Sequence, residues 1–168
     1  TAQEWAAALN RAGAVGQRLF GSKELGQVEF ERKITKTLTI KGKFWAGNFT
    51  YDNPVMMWGS ITSPYISSYE KHKTHIHLTN GDFRMIDSIR NRYDIDGGAK
   101  ITVDNGNMEV GNVRGKRQRV EDPQGRVGMT TTREYFSELS APNGKIVAGD
   151  VRDTVKLDAD TIITLNLI

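Results

Sequence analysis

The chain contains no cysteine among its 168 residues, which excludes disulfide bridges, cysteine-based zinc sites and thiol catalysis. No apolar run approaches the roughly 18 residues that a membrane span needs, and the N-terminus lacks the basic and apolar segments of a signal peptide. We therefore expect neither a membrane span nor a signal peptide. The 23 basic and 20 acidic residues leave a net charge of only +3, which is too small to indicate nucleic-acid binding by itself.

The remaining composition is that of a globular protein. Hydrophobic residues make up 38% of the chain and charged residues 26%, whereas a disordered chain has fewer apolar residues and a higher net charge. The length suits one domain, or one small domain with an appended helix.

The N-terminal segment, from Thr1 to Gly21, has the pattern of a short α-helix. Thr1 and Glu4 have the spacing of a capping box, and Gly21 is a typical helix end. Apolar and small residues recur at steps of three and four at Trp5, Leu9, Ala12, Gly16 and Leu19. This stripe either packs on the chain's own domain or serves as an oligomerisation or docking segment. We therefore predict an N-terminal helix over residues 1–21 and a β domain over residues 28–168.

From Val28 onward, short alternating segments flank X-Gly pairs. The pairs are Lys41-Gly42, Asn80-Gly81, Asn105-Gly106 and Asn143-Gly144. Asn-Gly is a strong signal for a two-residue hairpin turn, because both positions of that turn need a positive φ. The pattern predicts a mainly β fold of antiparallel sheets rich in Asn-Gly hairpins, with one short N-terminal α-helix.

The register of two hairpins can be predicted from the same pattern. Pairing across Asn80-Gly81 and across Asn105-Gly106 places eight apolar residues on one face: Ile76, Leu78, Phe83, Met85, Ile101, Val103, Met108 and Val110. Two independent segments with such two-sided character predict a single apolar core or a subunit interface. The uneven spacing of the units argues against a repeat of fixed period.

The densest basic cluster is formed by Arg114, Lys116, Arg117 and Arg119. It either contacts phosphates or an acidic surface glycan, or forms a solvated hairpin edge that discourages edge-to-edge association. Two tryptophans, Trp45 and Trp58, are the candidates for an exposed recognition patch, because tryptophan contributes strongly to interfaces.

A catalytic site is not indicated by any motif. The sequence has no phosphate-binding Gly loop, no His-Glu-x-x-His helix and no Gly-x-Ser-x-Gly turn. We therefore expect a non-enzymatic protein with no cofactor and no metal ligands of its own. His75 and His77 would share one face of a strand, and we interpret them as solvated surface residues.

Three strings carry a family resemblance: TLTIKGKFWAG at 37–47, KITVDNGNMEVG at 100–111 and NGKIVAGDV at 143–151. They resemble the short β modules of bacteriophage tail fibres, spikes and tail-tip host-recognition proteins. The resemblance implies a virion location and a homotrimer, in which an iron ion bound by His75 and His77 from three chains is an alternative to the solvated face.

The resemblance predicts a structural, non-enzymatic virion component, a tail fibre or spike segment for assembly or host attachment. Its partners would be copies of itself, other virion proteins and a host surface receptor. A capsid-associated or decoration protein is one alternative, and a nucleic-acid-binding β domain using residues 114–119 is another. We expect the helix stripe or the terminal strand from Ile163 onward to lie in the subunit interface.

Overall fold

The computed structural model describes residues 15–18, 29–32, 37–42, 47–62, 74–121 and 124–167. Within these ranges the secondary structure consists of sixteen β-strands and no helix. Most of the strands pair in parallel, and between residues 47 and 114 consecutive strands lie on successive faces of one coil.

Three faces are defined by parallel pairing. The first contains β4 (Gly47–Tyr51), β7 (Thr74–Leu78) and β10 (Ala99–Val103). The second contains β3 (Leu38–Lys41), β5 (Val55–Trp58), β8 (Phe83–Arg84) and β11 (Met108–Glu109). The third contains β6 (Ile61–Thr62), β9 (Ile95–Asp96) and β12 (Val113–Arg114).

Two long strands, β15 (Ser137–Val151) and β16 (Val155–Leu167), each pass along all three faces. β15 pairs in parallel with β10, β11 and β12 in turn, and β16 pairs with β15 along its length. The described chain is therefore a three-faced parallel β-solenoid, in which each turn stacks on the previous one. Among the described strands, antiparallel pairing is confined to three places: β1 (Val15–Arg18) on β4, β2 (Glu29–Arg32) on β3, and a hairpin of β13 (Lys116–Glu121) and β14 (Thr130–Tyr135).

The turns differ in length because insertions lie between some of the faces. An uninterrupted turn begins at Ser137 and ends just before Val155, which begins the next turn and is aligned with Ser137. The turn from Thr74 to its aligned partner Ala99 is longer, because it contains the loop Asp87–Tyr93 between the second and third faces. The β13–β14 hairpin is inserted between the third and first faces. These insertions conceal the underlying period in the sequence.

The core lies inside the coil and is built from aligned apolar residues. Ile76, Ile101 and Leu139 are in register on the first face, and all are almost fully buried. Alternate residues of each strand point outward, which gives β7 and β10 their alternation of buried and less buried positions. This alternation is the period-two signal of the sequence.

The corner between the first and second faces explains the Asn-Gly pairs. Gly81 has a φ of 111°, and an added Cβ on Gly144 would overlap the carbonyl oxygen of Gly106 in the preceding turn. The Asn side chains bridge adjacent turns, because Asn105 Nδ2 donates to Thr79 O at 2.9 Å and Asn143 Nδ2 donates to Asp104 O at 3.0 Å. The pairs thus mark solenoid corners.

The predicted fold class is wrong in its pairing. The strands on either side of Asn80-Gly81 belong to different faces, and so do those on either side of Asn105-Gly106. All four strands pair in parallel with strands of neighbouring turns, so neither of these Asn-Gly pairs closes an antiparallel hairpin. The eight residues predicted to share one face are nevertheless all buried in one core, because a corner preserves the alternation as a hairpin does. The predicted terminal strand is confirmed from Ile163 to Leu167 as part of β16.

The predicted N-terminal helix is also wrong where it can be compared. Val15–Arg18 form β1, which pairs with β4, so this segment completes its backbone hydrogen bonds in the sheet. Residues 1–14 and 19–28 lie outside the described residues, and so does the helix stripe of Trp5 and Leu9. The division into a segment over residues 1–21 and a domain over residues 28–168 stays a prediction.

Candidate binding groove on the third face

Two rows of polar side chains run along the third face, one on each side of its inward-facing residues. The first row is Ser60, Asp94, Asn112 and Asp150, and the second is Thr62, Asp96, Arg114 and Arg152. The rows are aligned because Ile61, Ile95, Val113 and Val151 lie in register between them. Neighbouring side chains of a row are therefore one strand spacing apart, about 4.8 Å.

The first row is held by hydrogen bonds from one turn to the next. Asp94 Oδ1 accepts from Asn112 N at 2.8 Å, and Asn112 Oδ1 accepts from Asp150 N at 2.9 Å. Asp150 Oδ1 in turn accepts from Asn166 Nδ2 at 2.9 Å. Asp94, Asn112 and Asp150 are thus each fixed by the Oδ1 atom at a corner of the solenoid.

The second row contains an ion pair and, among the described residues, a cation without an ion-pair partner. Arg114 Nη2 donates to Asp96 Oδ2 at 2.7 Å, and this hydrogen bond, with the charge of Asp96, raises the pKa of Arg114. Arg152 follows in the next turn, where its backbone N donates to Val113 O at 3.1 Å. Its exposed guanidinium makes no hydrogen bond or ion pair within the described part of the chain.

The rows line a cleft of about 350 Å³ on the outside of the third face. A second cleft of about 590 Å³ adjoins it beneath the hairpin, and the two share Asp96, Arg114 and Arg152. Lys116, Arg117 and Asp153 line the second cleft alone. Together they form one polar groove, which we call the third-face groove.

The hairpin that forms one wall of this groove is fastened to the solenoid. Arg117 Nε donates to Glu134 Oε1 at 2.9 Å and its Nη2 donates to Asp153 Oδ2 at 2.7 Å. Hydrogen bonds to Glu134 and then Asp153 raise the pKa of Arg117. Gly115 N also donates to Thr154 Oγ1 at 2.8 Å where the hairpin leaves the third face. The wall is thus positioned by contacts on both strands and on the following turn.

The predicted basic cluster is only partly brought together. Arg114, Lys116 and Arg117 line the third-face groove. Arg119 lies farther along the hairpin, exposed and aligned with Thr132, and does not line the groove. Because Asp96, Glu134 and Asp153 pair with two of the arginines, the cluster is less positive than its sequence indicates. Its binding role stays a prediction.

The two tryptophans have different outcomes. Trp58 is half-buried on β5, with the Lys41 ammonium 4.8 Å from its ring centroid. Its Nε1 atom is buried without a hydrogen-bond partner among the described residues. Much of the Trp58 ring is therefore covered by the protein and is not available for contact with a ligand. Trp45, like Phe44, lies outside the described residues.

The two described histidines occupy outward positions of β7. His77 Nε2 lies 2.7 Å from Asp104 Oδ2, at the corner that follows β10. Among the residues that the structure describes, no group of three histidine, aspartate or glutamate side chains is arranged to hold a metal ion. The alternative of an iron ion bound by His75 and His77 from three chains stays a prediction.

The acidic residues of the groove and Arg152 were not predicted from the sequence. A signal for them exists in two strings that share their pattern, Val110-Gly-Asn-Val113 and Ala148-Gly-Asp-Val151. In each string the small glycine precedes a polar residue that hydrogen-bonds to an adjacent turn. Aligning the two strings would have indicated stacked corners and a polar row.

Comparison with known proteins adds no relative: no protein-family model, no curated protein and no solved structure matches the chain. Among the described residues, no helix is long and apolar enough to cross a membrane. The class established by the fold and the groove is thus a three-faced parallel β-solenoid with a polar cleft on one face.

Proposed function

We propose that this chain is a structural, non-enzymatic virion component, a segment of a bacteriophage tail fibre or spike that acts in assembly or host attachment. The observation that carries the proposal is the parallel solenoid itself. Its turns stack in register, with side-chain hydrogen bonds between successive corners. Such a stack makes a stiff scaffold that presents an extended surface, which suits a fibre or spike.

The last described turn supports self-association. Among the described strands, β16 pairs along one edge only, with β15. Ile162, Ile163 and Leu165 on this turn are 45%, 50% and 74% exposed. An unpaired strand edge with exposed apolar side chains favours association with another chain. We propose that copies of this chain cover this turn, with three chains as the resemblance to tail fibres implies.

The nucleic-acid alternative is weakened by the charge pairing around residues 114–119. Arg114 and Arg117 are engaged with three carboxylates, so phosphate binding would have to displace existing ion pairs. Among the described residues, the lining of the second cleft also contains no aromatic side chain on which a base would stack. A structural attachment role requires neither arginines that are free to bind phosphates nor aromatic side chains that stack with bases.

Native mass spectrometry of the purified chain tests the assembly part of the proposal. We expect a closed homo-oligomer of three chains. Leu165→Lys should shift the population toward monomer, because a charge buried in an interface is costly. Val127→Lys is the matched control, since Val127 is fully exposed at the hairpin tip and should leave the assembly state unchanged. A folded monomer at high concentration would contradict the proposal.

A further inference from the structure

We infer that the third-face groove binds an acidic oligosaccharide. In this arrangement sugar hydroxyl groups lie along the row of Asp94, Asn112 and Asp150, and a carboxylate or phosphate group of the glycan lies at Arg152. The inference deepens the proposed attachment function and rests on it for the biological source of the glycan. The binding chemistry itself follows from the groove.

The groove has the form expected for a chain-like ligand. Polar side chains recur in four successive turns, so similar chemistry is offered repeatedly along the solenoid axis at intervals of about 4.8 Å. Two adjoining clefts that share Asp96, Arg114 and Arg152 extend the surface toward the hairpin. A ligand built from repeating polar units can contact several turns at once.

The first row is suited to hydroxyl groups. Asp94 and Asp150 each use Oδ1 in hydrogen bonds between turns, and the other carboxylate oxygen accepts no hydrogen bond within the described residues. The charge of Asp94 also acts on Arg114. A carboxylate accepts hydrogen bonds but cannot donate. Sugar hydroxyls donate and accept, so they can satisfy these oxygens and the neighbouring Asn112 amide. Because Oδ1 is already fixed, little side-chain entropy is lost on binding.

The second cleft selects an anionic group. Its lining contains four cationic residues, Arg114, Lys116, Arg117 and Arg152, and two carboxylates among the described residues, Asp96 and Asp153. Glu134 also pairs with Arg117, so four cationic groups face three carboxylates. Arg152 has no ion-pair partner in the same part of the chain. A guanidinium presents parallel N–H donors that match a carboxylate or phosphate. The excess positive charge is therefore concentrated where an exposed arginine can engage an anion.

The groove favours a glycan over single-stranded nucleic acid. Within the described ranges, both clefts are lined without an aromatic residue, and sequence-tolerant binding of single strands depends on aromatic stacking. The carboxylates Asp94 and Asp150 would also repel a ligand with a phosphate in every unit. A glycan with many hydroxyl groups and widely spaced acidic groups can contact both the carboxylate row of the first cleft and the cationic residues of the second.

The test is binding of the full chain to immobilised oligosaccharides. The probes are acidic oligosaccharides containing uronic acid, sialic acid or phosphodiester groups, with neutral glucans of equal length and an oligothymidylate as comparators. We expect retention of one or more acidic oligosaccharides above the neutral glucans. Arg152→Gln should weaken that binding about tenfold, equivalent to about 1.4 kcal/mol.

Arg90→Gln is the matched control. Arg90 is an exposed arginine on the Asp87–Tyr93 loop and does not line either cleft, so its loss should change affinity less than twofold. Equal weakening by both variants would show general charge attraction and overturn the inference. Retention of oligothymidylate alone would instead assign the groove to nucleic acid.

A second variant tests the hydroxyl row. Asp150→Leu removes both acceptor oxygens while keeping the branching at Cγ, and it should reduce binding of the retained acidic oligosaccharide severalfold. Circular dichroism checks that the fold is kept. A trimer that retains no acidic oligosaccharide would overturn the groove inference alone, whereas a monomer that binds one would overturn the proposed assembly and leave the groove inference standing.

Discussion

At the scale of single residues, the corner glycines set the closest approach between turns. Gly81, Gly106 and Gly144 follow one another up the corner between the first and second faces. An added Cβ on either Gly106 or Gly144 would overlap the carbonyl of the glycine in the preceding turn. Glycine is needed there because backbone from the neighbouring turn occupies the space of a side chain.

Gly144→Ala should lower the free energy of unfolding by about 2–3 kcal/mol, because the neighbouring backbone must shift to admit the methyl group. Urea denaturation of the purified variant measures this. Gly125→Ala is the comparison, since Gly125 has a φ of 72° but no neighbouring atom within 4 Å among the described residues. Its cost should be about 1 kcal/mol, from backbone strain alone. Equal costs at the two positions would contradict the stacking explanation.

Residue burial was predictable from the sequence to a useful degree. The eight apolar residues around Asn80-Gly81 and Asn105-Gly106 all lie in the core. Alternation fixes which side chains share a face, and it does so whether the strand's neighbour is antiparallel or parallel. Single-residue patterns therefore indicated the inside and outside of the coil without indicating its topology.

At the scale of elements, pairing could not be predicted from the local pattern. Asn-Gly favours a tight change of direction, but that change serves a hairpin and a solenoid corner equally well. The parallel partner of Ile76 is Ile101, a full turn further along the chain, and insertions of different length lie between equivalent positions. The repeat was present in the sequence, but its spacing was irregular.

The Asp87–Tyr93 loop should respond to pH on both sides of neutrality. Tyr93 Oη donates to Asp87 Oδ2 at 2.7 Å, and this bond lowers the pKa of Asp87 and raises the pKa of Tyr93. The depressed pKa of Asp87 means that its stabilising effect is lost as pH falls through the folded pKa. The raised pKa of Tyr93 means that its effect is lost as pH rises through the folded value.

Tyr93→Phe should therefore raise the pKa of Asp87 toward its ordinary range. Backbone N–H groups of Ile89 and Asn91 still donate to Asp87 Oδ1, so the return should be incomplete. The side-chain carboxyl resonance of Asp87, followed by NMR through an acid titration, reports the change. Tyr135→Phe serves as control because the Tyr135 hydroxyl has no hydrogen-bond partner among the described residues. An unaltered Asp87 titration in Tyr93→Phe would exclude the hydrogen bond as the main cause.

The β13–β14 hairpin should loosen when its link to the next turn is removed. Arg117→Gln breaks the ion pairs with Glu134 and Asp153, and we expect severalfold faster hydrogen exchange of the hairpin amides with little change in the solenoid. Arg119→Gln is the control, because the Arg119 side chain has no partner within the described residues. Equal exchange in the two variants would mean that Arg117 does not fasten the hairpin.

The candidate groove was predictable only where its residues are adjacent in sequence. Arg114, Lys116 and Arg117 form a visible cluster of charge. Asp94 and Asp150 lie in different turns and meet along one face only after the chain has coiled. A site assembled from several turns requires the register between them, and the sequence pattern alone assigned the wrong partners.

At the scale of the whole molecule, the solenoid should tolerate a deletion that keeps its period. Val113 is aligned with Val151 and Ser137 with Val155, so the connection from Val113 to Ser137 is equivalent to the short one from Val151 to Val155. Deleting the segment 117–136 makes the two connections equal in length. We expect this variant to retain the β-type circular dichroism spectrum and cooperative thermal unfolding, with lower stability because Tyr135 is lost from a buried position.

Deleting the segment 116–136 is the matched comparison, because it removes a single further residue, Lys116, from the same connection. The shortened connection moves the following strand out of register or strains the corner, and a one-residue slip exchanges the two faces of a strand. This variant should melt at a clearly lower temperature than the variant lacking 117–136. Similar melting temperatures would show that the connection does not depend on the length of the uninterrupted turn.

Stacking of the turns has a mechanical consequence. The ladder hydrogen bonds between turns point along the solenoid axis, as do the side-chain links of Asn105, Asn143 and Asn112. A pushing force along that axis presses the turns together against close-packed backbone. A pulling force applied to the final strand loads one row of bonds at a time, so the described solenoid should resist compression and yield to tension by peeling, one turn after another.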